Sequence, residues 1–381
     1  MTINLEKRQI PVLLVTGYLG SGKTTLLNRI LSNRKGIKFA VIVNDIGEVN
    51  IDADLIEKGG IVGQTDESLV ALQNGCICCT LKMDLVAQIA ELSSSSRFDY
   101  IVIEASGICE PAPIAQTVST IPALAPNLLH DTVPYVDCIV TVVDALRMKD
   151  EFAGGDALAK EDIGEDDLER LVIEQIEFCN IVILNKASEV SEDELGRLRA
   201  IVNGINPGAK ILQCDYGDID LDEIIYTGMF DFERVATSAA WIAAIEGEDE
   251  EEEAEGEALE YGIDTYVYYA RPAMDINAFD HVLARKWPSN IIRAKGLCWF
   301  AHEQDKCYLF EQAGRQMFLK DAGLWYATME EDLLKKMLEK DARLRKDWDP
   351  VYGDRMQKIV FIGQHLDKQA IKDLMDGCLA E

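Results

Sequence analysis

An apolar run at residues 11–16 meets Gly17-Tyr18-Leu19-Gly20-Ser21-Gly22-Lys23-Thr24, and an amphipathic segment follows from Lys23 to Leu31. This order constrains the fold more than any other feature of the chain. The pattern G-x-x-x-x-G-K-[ST] functions where a buried strand passes into a helix through a loop without obstructing Cβ atoms. Glycine lets backbone N–H groups approach a phosphate chain closely, and the helix N-terminus adds positive potential at the same point. Gly17, Gly20, Ser21 and Gly22 are the candidate cradle, with Thr25 as a further nucleotide contact. Lys23 is the candidate cation for the β- and γ-phosphates and the transition state, and the Thr24 hydroxyl is the candidate Mg²⁺ ligand.

The rest of the chain fits that start. Residues 39–44, 99–104, 135–144, 180–184 and 209–213 read as buried strands. Helical patterns fall at 81–92, 165–178 and from Ser191 to about Asn203. Buried strands alternating with helices predict a mostly parallel sheet covered on both faces. Residues 246–260 then carry ten acidic and no basic residues. Such a run repels itself and cannot bury a core. Beyond it, strands are predicted at 264–270, 291–300, 305–310, 315–319 and 358–362, with helices at 275–286, 328–340 and 366–377. The predicted architecture is therefore an α/β domain at 1–235, an acidic linker at 236–260 expected to be disordered, and a smaller α+β domain at 261–381. A net charge of −30 disfavours nucleic acid and anionic membranes as main partners. No apolar run reaches the roughly 18 residues of a membrane helix. The first apolar segment runs into the glycine loop, as a first strand does and a secretory signal does not. The chain is expected to be cytoplasmic.

Glu104 ends one strand and is followed by Ala105-Ser106-Gly107. It is the leading candidate for the second magnesium carboxylate and a catalytic role, with Gly107 offering its N–H to the γ-phosphate; Asp144, also at a strand end, is the rival. Asn185-Lys186 follows the strand IVIL as the guanine-reading N-K-x-D loop does. The fourth position is Ser188, which has no carboxylate for the guanine N1 and N2 hydrogens. Glu189, one residue on, is a candidate substitute. GTP is favoured over ATP.

Seven of the ten cysteines are scattered singly and read as small buried apolar residues. Cys76, Cys78 and Cys79 instead crowd into four positions. In a bend at a helix start all three sulfurs can approach one point, and the helix dipole favours their thiolates. Three soft ligands suit Zn²⁺ or Cu(I), with Co²⁺ and Ni²⁺ as further choices. A fourth position stays open for exchange, which suits a carrier better than a closed structural site. A redox pair and inert buried thiols are the other readings. The cluster lies between the glycine loop and Glu104, the interval that holds the switch segments of P-loop GTPases. Glu48 or Asp45 could contact Mg²⁺ or complete the thiolate site.

Together GYLGSGKTTLLN (17–28), VNDIGEVNID (43–52), NGCICC (74–79), EASGICEP (104–111) and LNKAS (184–188) resemble the CobW family of P-loop GTPases. RAKGLCWF (293–300) and QKIVFIG (357–363) are similar to its second domain. The resemblance implies GTP hydrolysis coupled to the binding and transfer of a metal, with zinc, cobalt, nickel or iron varying among members. It implies a client metalloprotein as partner; a homodimer is a further candidate assembly, and neither nucleic acid nor membrane is implied. Cys76, Cys78 and Cys79 match the family metal motif. Gly20, Lys23 and Thr24 match its phosphate and magnesium positions, and Glu104 matches its Walker-B acid. Ser188 departs from the usual Asp. Only four separated histidines are present, so no histidine-rich metal store is expected.

The leading reading is a metallochaperone switch. A P-loop kinase or ligase with a structural metal, or a redox-sensing GTP-binding protein, are the alternatives. On sequence alone, Ser188→Asp is expected to sharpen selectivity for GTP over ATP in competition binding; unchanged relative affinities would count against a guanine-reading role for this loop.

Overall fold

Residues Phe39–Val43, Tyr100–Glu104 and Ile181–Asn185 of the first domain are largely apolar strands buried on both sides, as a parallel sheet between helix layers requires. The computed structural model describes residues 8–33, 35–43, 69–71, 82–107, 109–129, 132–152, 166–232, 261–314, 316–340 and 342–380. Cys76, Cys78, Cys79, Glu48, Asp45 and the acidic run 246–260 lie outside these residues. The chain divides into two compact units, one centred on residues 8–152 and 171–232 and the other on 261–380.

The first unit runs β1 (Arg8–Thr16), α1 (Lys23–Leu31), β2 (Phe39–Val43), β3 (Leu69–Ala71), α2 (Lys82–Ser94), β4 (Tyr100–Glu104), α3 (Pro111–Leu124), β5 (Thr132–Asp144), α4 (Ala145–Phe152), α5 (Asp166–Glu177), β6 (Ile181–Asn185), α6 (Glu192–Ile205) and β7 (Lys210–Cys214). Its sheet has seven strands in the order β3-β2-β4-β1-β5-β6-β7, and every described pair is parallel. The order reverses around β1, and such switch points at strand C-terminal ends are where open α/β sheets take ligands. Register sharpens this. Glu104 stands level with Val15 of β1 and with Val43 of β2, and Asn185 with Asp144 of β5 and Cys214 of β7.

One sheet face packs Leu13, Val41, Val102, Val140 and Ile183 against Leu26, Leu27 and Ile30 of α1. Those three α1 side chains are 0% exposed, each contributing roughly 1.5–3 kcal/mol by burial. The opposite-facing residues Leu14, Ile42, Ile103 and Ile139 are equally buried, as are Ile89 of α2 and Ile114, Val118 and Ile121 of α3.

The second unit runs β8 (Ile263–Ala270), α7 (Ile276–Arg285), β9 (Ile291–Cys298), β10 (Lys306–Ala313), β11 (Gln316–Leu324), α8 (Glu331–Lys340), α9 (Ala342–Asp347), β12 (Gln357–Gln364) and α10 (Lys368–Asp376). Its five-stranded sheet, β11-β10-β9-β12-β8, is antiparallel throughout. Phe310, Phe361 and Ala294 from its strands share a core with Phe279 and Val282 of α7 and with Ile371 and Met375 of α10. Among the described residues no helix is long and apolar enough to cross a membrane.

Several boundaries differ from the sequence reading for identifiable reasons. The strand predicted at 180–184 begins one residue later, because the Asn180 side chain accepts the Ile139 N–H at 2.9 Å and so acts as a link between strands. The helix predicted from 328 begins at Glu331. Residues Tyr326–Thr328 form a 3₁₀ turn instead, where the Asp354 carboxylate accepts the N–H groups of Tyr326 and Ala327 at 2.8 Å. The hairpin predicted from 305–310 and 315–319 is present in longer form, β10 with β11.

Helix α6 begins in a capping box. The Ser191 N–H donates to Glu194 at 2.8 Å and the Glu194 N–H to the Ser191 hydroxyl at 3.3 Å. The box fixes where the chain turns after the Lys186 loop. The Ser191 backbone N–H, then the Lys149 ammonium and the Ser191 hydroxyl, hold the Glu194 carboxyl down to about 2. A lowered carboxyl lends stability that is complete above the ordinary value of about 4.3 and declines as the pH falls below it; here the loss finishes near pH 2. Glu194→Gln is expected to flatten that acid limb in denaturation midpoints measured across pH 2–6, and a wild-type Glu194 titrating at its ordinary value by NMR would refute the assignment.

Candidate functional site

The C-terminal ends of β1, β4, β5, β6 and β7 face one loop, Gly17–Gly22. Gly17, Gly20 and Gly22 have φ of +135°, +82° and +110°. Gly22 shows why no side chain is tolerated: a Cβ there would lie 2.2 Å from Asn185 Nδ2. Asn185, 2% exposed at the end of β6, donates through Nδ2 to the Ser21 carbonyl at 2.8 Å. Its Oδ1 accepts the Gly217 N–H at 3.1 Å. One amide thus joins the glycine loop, the β6 end and the loop after β7.

The first turn of α1 carries the predicted functional side chains. Lys23 is buried, and its Nζ donates to the Tyr18 carbonyl at 3.2 Å, which folds the ammonium over the loop. Thr24 is half-buried and Thr25 exposed. Glu104 is 1% exposed at the last position of β4, immediately before Ala105, whose N–H donates to the Val15 carbonyl at 2.9 Å. Gly107 touches the glycine loop itself: a Cβ on it would stand 2.8 Å from Leu19 N and 3.2 Å from the Tyr18 carbonyl carbon. The structure therefore brings Gly17, Gly20, Ser21, Gly22, Lys23, Gly107 and Asn185 to one place.

Asp144, the rival of Glu104, has its carboxylate engaged elsewhere. Oδ1 accepts the Arg147 N–H at 3.1 Å, opening α4, and Oδ2 pairs with Lys186. The Tyr18 hydroxyl holds the Asp144 backbone in place, with both the carbonyl and the N–H at 3.0 Å. The Arg147 guanidinium lies 5.0 Å over the Tyr18 ring. Lys186 sits in the left-handed region at φ 59°, a conformation costing about 1 kcal/mol for a residue with a Cβ. The sharp turn that results starts the 3₁₀ segment Ala187–Glu189.

Ser188 has a partner that sequence reasoning did not single out. Its N–H and its hydroxyl both reach Asp215 Oδ1, at 3.1 and 3.0 Å. The sequence signal for Asp215 is its place two residues beyond the strand predicted at 209–213.

The thiolate cluster Cys76, Cys78 and Cys79, with Glu48, falls outside the described residues. Among the described residues no group of three or more His, Cys, Asp or Glu could hold a metal ion. The seven single cysteines are buried and form no disulfide among the described residues. Burial pushes Cys138, Cys179 and Cys307 up to about 12, and Cys214 and Cys378 up to about 11. Cys298 rises for the same reason. These six remain neutral thiols at physiological pH.

A parallel sheet with a glycine loop at its switch point, a lysine folded over that loop and an N-K segment bonded to it define the class of the P-loop GTPases. Comparison with known proteins agrees. The family model described as "CobW/HypB/UreG, nucleotide-binding domain" matches residues 11–213, and "Cobalamin synthesis protein cobW C-terminal domain" matches residues 263–379. The chain belongs to the CobW family. It is 35% identical to the Zinc-regulated GTPase metalloprotein activator 1 of Dictyostelium discoideum over 97% of this chain and 80% of that one. It is 33% identical to the Zinc chaperone CobW of Pseudomonas aeruginosa over 57% of this chain and 60% of that one. With the Zinc chaperone YjiA of Escherichia coli it shares 27% identity over 97% and 98% of the two chains.

Two variants probe the convergence. Asn185→Ala leaves the Ser21 carbonyl and the Gly217 N–H without their partner and is expected to cost about 2–3 kcal/mol in urea denaturation. Gly107→Ala forces its loop off Leu19 and is expected to cost about 1–3 kcal/mol. Wild-type stability in both would mean that these contacts do not hold the site together.

Proposed function

We propose that this chain is a GTP-dependent metallochaperone that takes up a transition metal, zinc in the first instance with cobalt, nickel and iron as alternatives, and passes it to a client metalloprotein in the cytoplasm. The observation that carries the nucleotide half is the closure around the glycine loop by Asn185 and Gly107, which brackets the phosphate cradle from two strand ends. The metal half is supported by the Cys76-Ile77-Cys78-Cys79 segment between that loop and Glu104. It is also supported by the zinc named in the relatives.

In this reading Gly17, Gly20, Ser21, Gly22, Thr24 and Thr25 surround the phosphates, and the Lys23 ammonium leaves the Tyr18 carbonyl for the β- and γ-oxygens. Gly107 offers its N–H to the γ-phosphate. Asn185 and Lys186 hold the base-side loop, the Lys186 stem lying along it. The Thr24 hydroxyl and the buried Glu104 carboxylate are the hard oxygen donors that Mg²⁺ prefers, and these are the residues that would hold it. Bound with the nucleotide, Mg²⁺ neutralises charge on the phosphates. Lys23 contributes the protein's own charge to the same task, and Glu104 is excluded from bulk water by its place between β1 and β2.

The reading divides the chain into the nucleotide domain at 1–235, the acidic linker at 236–260 and the CobW-type domain at 261–381. Cys76, Cys78 and Cys79, with Glu48, take the cargo metal. Gly107 touches the glycine loop directly, so loss of the terminal phosphate is felt by the segment that follows Glu104. Turnover is slow without a partner, because positioned charge limits this class of reaction.

Zinc titrated into the nucleotide-free protein and its GDP and non-hydrolysable GTP forms is expected to give affinities differing by about fivefold or more, with a reciprocal effect of zinc on nucleotide affinity. Equal zinc affinity in all forms would rule out the coupling. Lys23→Ala is expected to lower GTP turnover by about 100-fold or more; undiminished turnover would place the chemistry elsewhere.

A further inference from the structure

We propose that Asp215 reads the guanine base, supplying from the loop after β7 the carboxylate that position 188 lacks. The inference deepens the nucleotide-site reading above and rests on it. An acid at position 188 would accept the N1 and N2 hydrogens of guanine. Ser188 offers one hydroxyl. That hydroxyl is not idle: with the Ser188 N–H it donates to Asp215 Oδ1, at 3.0 and 3.1 Å. A negative charge therefore lies one hydrogen bond away from the serine side chain.

Its placement is fixed from both sides. β6 and β7 are parallel neighbours in register at Asn185 and Cys214, so the two loops leave the sheet side by side. Asp215 is flanked by Cys214 and Gly217, and both contact Asn185 Oδ1, at 3.5 and 3.1 Å. Asn185 in turn holds the Ser21 carbonyl of the glycine loop at 2.8 Å. The Asp215 carboxylate is thereby indexed to the phosphate cradle through two hydrogen bonds and one strand pair. Asp215 is half-buried and Ser188 exposed, so a base reaches both from solvent.

Oδ1 carries the two bonds from Ser188, and Oδ2 has no hydrogen bond among the described residues. A carboxylate with one oxygen pinned and the other open can accept both edge hydrogens of guanine. Adenine presents a lone pair at N1 and no 2-amino group, so it meets the same carboxylate unfavourably. Division of labour between two loops also reverses the sequence expectation for Ser188→Asp. A second carboxylate would replace a hydroxyl that lies 3.0 Å from Asp215 Oδ1. Like charges at that range oppose each other, so the single variant is expected to weaken GDP binding.

The test is competition of GDP, xanthosine diphosphate and ADP against a fluorescent GDP analogue on the full chain with Mg²⁺. Wild type is expected to prefer GDP. In Asp215→Asn the amide can donate to the C2 carbonyl of xanthine while accepting N1–H. GDP affinity is expected to fall and xanthosine diphosphate affinity to rise, each by about 10- to 100-fold. A gain of that kind cannot arise from misfolding. The exchange variant Ser188→Asp with Asp215→Ser is expected to recover the GDP preference, and Glu189→Gln to retain it. Asp215→Asn with the wild-type ratio of GDP to xanthosine diphosphate, or the switch appearing in Glu189→Gln instead, overturns this inference and leaves the nucleotide site standing. Wild type binding GDP and ADP alike overturns the inference alone, and wild type binding neither overturns the nucleotide-site reading with it.

Discussion

The first domain depends on the two hydrogen bonds of the Asn185 amide. A carboxamide donates from its nitrogen and accepts at its oxygen, and both are used: one to the loop after β1, the other to the loop after β7. At 2% exposure the groups have no water to fall back on, so neither bond can open without an unsatisfied buried partner. Three chain segments far apart in sequence therefore move as one. The tight approach at Gly22 is the steric counterpart of the same bond, since any larger residue there would displace the amide.

Around this point the sheet supplies rigidity and the loops supply chemistry. Parallel register sets the strand ends in two levels: Val43 and Glu104 stand beside Val15 of β1, and Asp144, Asn185 and Cys214 stand beside one another further along the sheet. The loops that follow these strand ends meet at the glycine loop although their residues are as far apart in sequence as Ser21 and Gly217. The Asp144–Lys186 pair and the stack of Arg147 on Tyr18 brace the flank beside β5. The second domain solves a different problem. Its antiparallel sheet is covered by α7 and α10 around Phe279, Phe310 and Phe361, and it owes nothing to a nucleotide for its core.

Most of this architecture was legible in the sequence because buried parallel strands are continuous apolar runs and the glycine loop has no other common use. The strands at residues 39, 99, 180 and 209 were found within one or two positions. Helix α3 was not, since Pro111, Pro113 and Pro122 mask its pattern, although proline is at home in a first helical turn. Strand β3 has three residues, too few for periodicity to register. In the site, the cradle and Glu104 were readable from motif and position. Asp215 was not, because its importance lies in a contact between two loops, and nothing in the local sequence records which loop leans on which. The contacts of Asp144 with Lys186 and Arg147 were likewise not legible, since the sequence offered Asp144 only as a strand-end acid.

The seven sequestered sulfurs have a consequence for how the molecule meets metals as it matures. A nascent chain displays ten thiols, all at their ordinary acidity, and is itself a sponge for soft cations. Folding withdraws seven of them into the interior, and burial opposes ionisation of Cys138, Cys179, Cys214, Cys298, Cys307 and Cys378. Metal bound to those thiols in the unfolded chain therefore works against folding by mass action, and cargo bound to the folded chain works in the opposite sense.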